Sequence, residues 1–317
     1  MKEYALRRLL LAVPTILLVI VVVFMAVRVI PGDPIDFMIP TDMEGDAKEE
    51  YADRIRAQYG FDQPLHIQLI DYMGRVIRLD LGSSLRRRTP VVEELVWRVP
   101  NTLQLGVFAL TVSILLGIPI GIVSAMHRSS LGDNVAMFGA LFGVSMPSFF
   151  FGYMLMLLFG LNLKILPLSG FGGALYTWEG FRHAVMPGTT LALGSLAVLA
   201  RFTRSSMLEI IAEDYIRTAR SKGVSERVVI FKHALKNALI PVVTLLGIQF
   251  GAVLAGSVVV EAVFAWPGVG RYMVGGITSR DFPVVQASVL VIAFGFIFAN
   301  LLTDLTYAFI DPRIAYD

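Results

Sequence analysis

Long stretches without charged residues dominate this chain and restrict what it can fold into. A membrane-spanning helix needs about 20 mostly apolar residues. Five runs meet this requirement: residues 9–30, interrupted only by Arg28, and residues 99–126, 134–163, 237–260 and 282–303. A sixth run, 184–200, becomes long enough if its helix continues towards Met207. Hydrophobic residues make up 56% of the chain and charged residues 16%, which is far from a soluble domain. We expect an all-α, polytopic membrane protein with six transmembrane helices.

The apolar runs divide the chain into regions. The predicted regions are an N-terminal stub and first span (1–30), a small external helical subdomain (31–98), a five-helix core (99–310) with a charged loop (205–238), and a tail (311–317). Cytoplasmic loops are enriched in Lys and Arg, and residues 201–238 carry eight of them against four Asp and Glu. Together with Lys2, Arg7 and Arg8, this loop predicts that both termini and the charged loop are cytoplasmic. The first run is too long for a signal-peptide core and is expected to remain as an anchor.

The external region has the pattern of short helices. We predict one helix over residues 48–59 that ends at Gly60, a second helix capped by Asp62, and a third that starts at residues 89–90. Residues 86–88 are three consecutive arginines, which we interpret as a solvated or headgroup-facing cluster. Two roles remain open for the region: a lid packed on the ends of the spans, or a docking surface for an external partner.

The charged loop between the fourth and fifth spans is the most informative segment for function. Gly223 can end one helix in the left-handed conformation, and Ser225 can cap the start of the next. The pattern predicts two short helices at an angle, exposed on one face of the membrane. Such a surface is suited to binding a soluble partner.

Several enzyme classes lack their motifs here. The chain has no phosphate-binding loop and no His-Glu-x-x-His zinc motif, and the glycine and serine at residues 143–147 lack the second glycine of a nucleophile elbow. It has no cysteine, and its four histidines are isolated from one another, so we expect no metal site. We do not expect this chain to be an enzyme or to hydrolyse ATP itself.

Polar residues within the spans are almost all uncharged. A proton- or ion-coupled carrier normally needs an ionisable group at membrane depth, because a buried charge is costly and is retained for function. Uncharged side chains can instead line a pathway whose energy comes from elsewhere, or tie helices together. The candidates for lining a pathway are Ser145, Gln249, Ser257 and Asn300.

A series of short motifs resembles one family along the whole chain. The motifs are PGDP at 31–34, SMP at 145–147, DYIRTARSKG at 214–223, NALIP at 237–241, WPGVGR at 266–271, RDFPVVQ at 280–286 and DPR at 311–313. Together they resemble the peptide/nickel branch of ATP-binding-cassette importer permeases. Ala219, Gly223 and Leu235 match that family's general loop pattern, whereas Arg217, Thr218, His233 and Lys236 depart from it.

The resemblance implies a type I importer membrane domain that forms half of a translocation pathway in a bacterial or archaeal cytoplasmic membrane. The implied partners are a second permease in a heterodimer, two cytoplasmic ATPases that bind ATP and Mg²⁺, an external solute-binding protein, and membrane lipid. This chain would bind no cofactor and no nucleic acid. Dipeptides or oligopeptides are the expected cargo, and nickel complexes, glutathione and sugar conjugates are the alternatives. A secondary carrier or channel is the alternative from another class, followed by an intramembrane enzyme.

Two sets of functional residues follow from the resemblance together with the local sequence. The predicted ATPase-coupling residues are Glu213, Asp214, Arg217, Thr218, Ala219, Arg220, Lys222 and Gly223. The predicted external gate or docking residues are Glu261, Trp266, Pro267, Gly268 and Arg271.

Overall fold

The computed structural model describes residues 2–29, 43, 45–60 and 62–310. Within these residues the chain is helical, and its β structure is limited to an isolated bridge between Ser83 and Pro90. The motifs at 31–34 and 311–313 and the predicted tail at 311–317 lie outside the described residues.

Twelve helices are numbered in chain order among the described residues. They are α1 (Lys2–Val29), α2 (Asp46–Tyr59), α3 (Leu65–Ile77), α4 (Val91–Met126), α5 (Leu131–Ser145), α6 (Ser148–Leu155), α7 (Trp178–Ile211), α8 (Asp214–Ser221), α9 (Glu226–Val228), α10 (Leu235–Val263), α11 (Val269–Thr278) and α12 (Phe282–Ile310). Wider π-helical turns, Met156–Asn162 and Val229–Ala234, extend α6 and join α9 to α10.

Five of the described segments are long and apolar enough to cross a membrane, and a sixth is obtained when α5 and the helix that follows it are counted as one span. The all-α, polytopic fold class is therefore as predicted. The third span differs from the expectation because its halves, Leu131–Ser145 and Ser148–Asn162, are bent by 108°. The break lies at Met146, which has φ −80° and ψ 127°, because the ring of Pro147 disfavours helical geometry at the preceding residue.

Two spans are longer than the apolar runs that predicted them. Helix α4 begins at Val91, so the predicted third external helix is the first part of α4 and not a separate element. Helix α7 covers Trp178–Ile211, which confirms the continuation of its span past Ala200. In both cases the helix continues through polar residues beyond the apolar segment. A search for runs without charged residues detects only the apolar part of such a helix.

The short helices after the first span agree only in part with the sequence analysis. Helix α2 ends at Gly60, which has the predicted left-handed conformation with φ 68°. The predicted cap at Asp62 is wrong: α3 begins directly after Pro64, whose carbonyl accepts the first helical hydrogen bonds, and no side chain caps it. Asp62 lies too far before the first turn to reach those N–H groups. Helix α3 packs against the first and last spans through Val76.

Helices α4 and α7 form the most extensive helix–helix contact among the described residues. A Cβ at Gly121 would lie 2.6 Å from the Ala200 carbonyl oxygen, and one at Gly117 would lie 2.9 Å from the Leu196 carbonyl oxygen. Residues without side chains therefore let the two backbones approach closely, as small-xxx-small spacings do between membrane helices. Two apolar clusters form at opposite ends of this pair, one containing Met207 near α8 and the other containing Met186 near α11. We call these ends the α8 end and the α11 end.

Candidate functional sites

Helix α8 is a short helix outside the spans that is anchored by one apolar side chain. Asp214 lies in its first turn and Arg220 in its last, where each charge is favourable with respect to the helix dipole. Ile216 is fully buried, whereas the residues on either side of it are exposed. The helix therefore has one face fixed to the protein and another available to solvent.

Ile216 contacts an apolar cluster at the α8 end of the bundle. The other buried members of this cluster are Ile122 and Ala125 of α4, Met207 of α7, Val229, Ile230 and Ala234 of the π-helical turn, and Ala238 of α10. Tyr215 adds a polar contact, since its hydroxyl accepts a hydrogen bond from Asn237 at 2.8 Å. A displacement of α8 is thus directly connected to the ends of three spans.

A left-handed residue ends the α8 segment. Gly223 has φ 75°, and its N–H donates to the Arg220 carbonyl at 2.9 Å, which confirms the predicted turn. Ser225 occupies the predicted N-cap position of α9, but its side chain makes no capping hydrogen bond, so the prediction is correct in position only. Arg220 instead holds the corner, since its guanidinium donates to both Glu226 carboxylate oxygens, at 3.1 and 2.7 Å. Hydrogen bonding to Glu226 raises the pKa of Arg220.

The predicted coupling residues differ in exposure and in charge pairing. All eight are exposed except Ala219, which is half-buried and packs against the apolar cluster. Arg217 lies 3.3 Å from Asp214 in a pair that is almost fully in solvent, where the pairing contributes little. Lys222 has no ion-pair partner within the described residues. Of the three cations, Lys222 is therefore the one whose charge is fully available to a partner.

The turn at residues 266–271 lies at the opposite end of the bundle and is built around a buried tryptophan. The Trp266 ring is fully buried, and it packs edge-on against Phe171 with the ring centroids 4.9 Å apart. Its indole N–H donates to the Asn101 carbonyl at 2.9 Å. The amide of Asn101 in turn donates to the Pro267 carbonyl at 3.2 Å. These bonds fix the turn to the beginning of α4.

A buried carboxylate completes this turn. Glu261 is fully buried and accepts hydrogen bonds from the Thr102 hydroxyl at 2.8 Å and from the Arg271 N–H at 3.1 Å. The Thr102 oxygen accepts from the Val269 N–H at 2.9 Å, so a single hydroxyl joins the carboxylate to α11. Gly268 is required here because a Cβ at that position would overlap the Glu261 carboxylate.

The predicted gate or docking residues are thus brought together, but in different environments. Glu261, Trp266 and Gly268 are buried, Pro267 is half-buried, and only Arg271 is exposed, with its guanidinium donating to the Ala265 carbonyl at 2.6 Å. Sequence reasoning missed Asn101 and Thr102, although a polar pair directly after Pro100 in an otherwise apolar run was an available signal. A gating or docking role for the segment stays a prediction.

The predicted pathway residues are not equivalent. Ser145 is exposed at the bend after α5, and its hydroxyl donates to the Leu141 carbonyl at 2.9 Å. Gln249 and Ser257 are buried within the chain. Asn300 lines a groove of about 650 Å³ between α1, α10 and α12, and it is the only one of the four predicted residues in that lining. Lining a pathway stays a prediction for all four.

No group of three or more His, Cys, Asp or Glu side chains is placed to hold a metal ion in the part of the chain that the structure describes. The described residues form an exposed helix, α8, at one end of the bundle, a hydrogen-bonded turn at the other, and apolar spans between them. This arrangement is typical of the membrane component of a transport system.

Comparison with known proteins identifies that class. The family described as the inner membrane component of binding-protein-dependent transport systems matches residues 117–316, and the N-terminal family of such membrane components matches residues 1–106. The chain belongs to this family, whose members are the permease subunits of ATP-binding-cassette importers. It is therefore a multi-pass inner-membrane protein, and the alternatives of a secondary carrier and an intramembrane enzyme are set aside.

Curated relatives match the chain from end to end. The glutathione transport system permease protein GsiC of Salmonella choleraesuis is 44% identical over 316 residues, with all of both chains covered. The protein of the same name from Escherichia coli O6:H1 is 41% identical over 316 residues, again with full coverage. The dipeptide transport system permease protein DppB of Alkalihalophilus pseudofirmus is 40% identical over 337 residues and is also fully covered.

Proposed function

We propose that this chain forms half of an import pathway for short peptides, and that α8 is the element through which separate ATPase subunits drive it. ATP and Mg²⁺ are bound by those subunits, and this chain binds no cofactor. A second, homologous permease completes the pathway as a heterodimer, and an external binding protein delivers the solute. The observation that carries the coupling proposal is the anchoring of the otherwise exposed α8 through the fully buried Ile216.

The orientation of the chain follows from this assignment. Helix α8 faces the cytoplasm, where the ATPases are, and the N-terminus lies on the same side. The excess of Lys and Arg over Asp and Glu in residues 201–238 supports this orientation, because positive loops remain cytoplasmic. The turn at residues 266–271 then faces outwards, since α10 leads from one end of the bundle to the other.

The proposed cargo is a dipeptide or a slightly longer peptide such as glutathione. The support is the similarity over full length to permeases named for glutathione and for dipeptides, which are 44% and 40% identical to this chain. These solutes share an amino group, a carboxylate and at least one amide-type bond. This proposed class of cargo is tested by measuring uptake of labelled dipeptides and glutathione by the reconstituted transporter with its own binding protein. Uptake of nickel complexes or sugar conjugates, but of neither peptide, would contradict it.

Disrupting the turn or the small contact surface of α8 should separate the permease from its ATPases. Proline cannot adopt the φ of 75° seen at Gly223, and Ala219→Asp places a charge against the apolar cluster. We expect both variants to insert normally but to lose ATPase co-purification and solute-stimulated hydrolysis. Ala57→Asp, the same change at an exposed position on α2, should leave both measurements unchanged.

A charge reversal distinguishes docking from local packing. Lys222 is exposed, has no ion-pair partner among the described residues, and does not belong to the apolar cluster. Lys222→Glu should lower the affinity for the ATPases about tenfold, which corresponds to roughly 1.4 kcal/mol of binding free energy. The control is Lys164→Glu, an exposed lysine between α6 and α7 on the other side of the membrane. Equal ATPase retention by both variants would remove α8 from the coupling interface.

A further inference from the structure

A polar cleft at the α11 end is lined by an excess of arginines. It has a volume of about 530 Å³ and lies between the turn at residues 84–87, the start of α4 and helix α11. Its charged lining residues are Arg86, Arg87, Arg98, Arg271 and Asp281. From the sequence alone, residues 86–88 are interpreted as a solvated or headgroup-facing cluster. The fold instead brings two of those arginines to the same cleft as Arg98 from α4 and Arg271 from α11.

The positive charge of the cleft is only partly compensated. Glu94 pairs with Arg98 at 2.6 Å and lies 3.5 Å from Arg87. Arg86 and Arg271 have no carboxylate partner within the described residues. Four guanidinium groups therefore line a cleft that has one carboxylate in its lining, Asp281, with Glu94 beside it, so positive groups outnumber negative ones in the cleft. A cleft of one sign with low-dielectric walls concentrates ions of the opposite sign.

The arginine turn is held rigidly in place by Asp281. This carboxylate is 3% exposed and accepts hydrogen bonds from the Ser84 hydroxyl and from the Leu85 N–H at 3.1 Å. A longer contact at 3.4 Å joins it to the Arg86 N–H. Asp281 is thus occupied by the backbone of the turn, and it serves to present Arg86 and Arg87. Because the backbone of the turn is fixed before any ligand arrives, the conformational entropy lost on binding is mainly that of the arginine side chains.

The floor of the cleft has an unused hydrogen-bond donor. Tyr272 is buried among the lining residues, and its hydroxyl has no hydrogen-bond partner among the residues that the structure describes. Burial raises the pKa of the Tyr272 phenol, so the group keeps its proton and remains a donor. The Arg98 guanidinium lies 4.5 Å from the centre of the Tyr272 ring. An unpaired buried hydroxyl is unfavourable, and an acceptor that enters the cleft while Arg98 shifts would relieve it.

We propose that this cleft receives acidic side chains of the external solute-binding protein when that protein docks on the permease. The inference rests on the proposed function, because it requires a binding protein on the side of the membrane opposite α8. Arg86 and Arg271 make the first contact with the carboxylates, and Arg87 and Arg98 share their charge with Glu94. Arginine is suited to this role because its planar group binds a carboxylate through two parallel hydrogen bonds.

The carboxylate that binds these arginines could instead belong to the transported peptide. The position of the cleft disfavours this alternative. The lining consists of residues 84–87, α11, Asp281 and the ends of two spans, α4 and α12, all at the α11 end of the bundle. A site with two arginines that have no carboxylate partner would also retain an anionic solute, whereas passage requires binding weak enough for release. A partner protein gains from the same charges, because steering accelerates its association in a salt-dependent way.

The association rate of the binding protein with the complete transporter tests the proposal. We expect the double variant Arg86→Gln/Arg271→Gln to lower this rate about tenfold at low ionic strength and to flatten its salt dependence. Arg88→Gln is the matched control, since Arg88 is exposed and adjacent but does not line the cleft. Unchanged association by the double variant would overturn the inference while leaving the α8 assignment intact. If Lys222→Glu did not weaken ATPase binding, the α8 assignment would fail and the inference about the cleft would remain.

A zero-length cross-link identifies the source of the carboxylate. Arg86→Lys and Arg271→Lys keep the charge and provide an amine that carbodiimide couples only to a carboxylate in direct contact. We expect a covalent adduct with an Asp or Glu of the binding protein, mapped by mass spectrometry, and a much weaker adduct from Arg88→Lys. Coupling to the peptide solute alone, or equal coupling by all three variants, would overturn the proposal.

Discussion

At the scale of single residues, burial changes what is expected of Trp266. The sequence motif alone predicts that Trp266→Ala lowers uptake and leaves the amount of permease in the membrane normal. Its ring is fully buried against Phe171, and its N–H is bonded to Asn101. Truncation should therefore cost about 3–5 kcal/mol of stability and lower the amount of permease in the membrane as well. Quantitative blots of the membrane fraction check this.

The matched control for this prediction is Trp178→Ala, because Trp178 is 71% exposed and stacks on Phe181 at the start of α7. It should keep wild-type levels. Normal levels of Trp266→Ala with reduced uptake would restore a direct gating role for the indole.

A second residue-scale prediction concerns an ion pair that the sequence did not indicate. Arg204 of α7 donates two hydrogen bonds to Asp133 of α5, at 2.6 and 2.7 Å, and the Ser129 N–H donates to the same carboxylate at 2.9 Å. Asp133 is 2% exposed, whereas the Arg204 side chain is 25% exposed. Removing the arginine leaves a buried charge without its partner, which is more unfavourable than removing both charges.

We therefore expect Arg204→Gln to lower the thermal unfolding midpoint of the purified permease more than Asp133→Asn/Arg204→Gln does. The midpoint can be followed by intrinsic fluorescence in detergent. A double variant that is less stable than the single variant would show that the pair stabilises the α5–α7 contact mainly through its shape and hydrogen bonds.

At the scale of elements, the bend between α5 and α6 is attributed to one proline. Pro147→Ala removes the steric restriction on Met146, so the two halves should straighten in part. Because the chain has no cysteine, spin labels can be placed at Phe138 and Leu158 alone. Their separation should increase towards about 30 Å, the length of 20 residues of straight helix.

Pro119→Ala provides the control for the bend, because α4 continues as a helix through Pro119. The distance between the same two labels should not change in that background. An unchanged distance in Pro147→Ala would mean that packing of α5 and α6 against α7 sets the bend, and that proline merely tolerates it.

At the scale of the whole molecule, the pathway candidates can be ordered by accessibility. Asn300 lines the groove between α1, α10 and α12, whereas Ser257 is fully buried within the chain. In the assembled transporter, Asn300→Cys should react with a water-soluble thiol reagent and Ser257→Cys should not. If the groove is filled by lipid, Asn300→Cys will stay unlabelled in resting and ATP-trapped complexes, and Asn300 is then not a pathway residue.

The class of the protein and several local features are determined by the sequence alone. Spans are detectable because each must be apolar over its own length. The ends of two helices were predictable at Gly60 and Gly223 because left-handed backbone geometry favours glycine at that single position. The series of motifs identified the family because each motif consists of consecutive residues and can be recognised without knowledge of the fold.

Tertiary structure decided which polar residues meet one another. Thr102 and Glu261 are 159 residues apart, Ser84 and Asp281 are 197 apart, and the four arginines of the cleft come from three separate segments. The bend at Met146 could not be predicted from Pro147 alone, because a proline within a span is also compatible with a continuous helix, as at Pro119. Such contacts depend on how helices pack against each other. The periodicity of one helix does not show which other helix its buried face will contact. The local sequence could therefore identify the elements of this permease, but only their packing assembled the turn, the ion pair and the cleft.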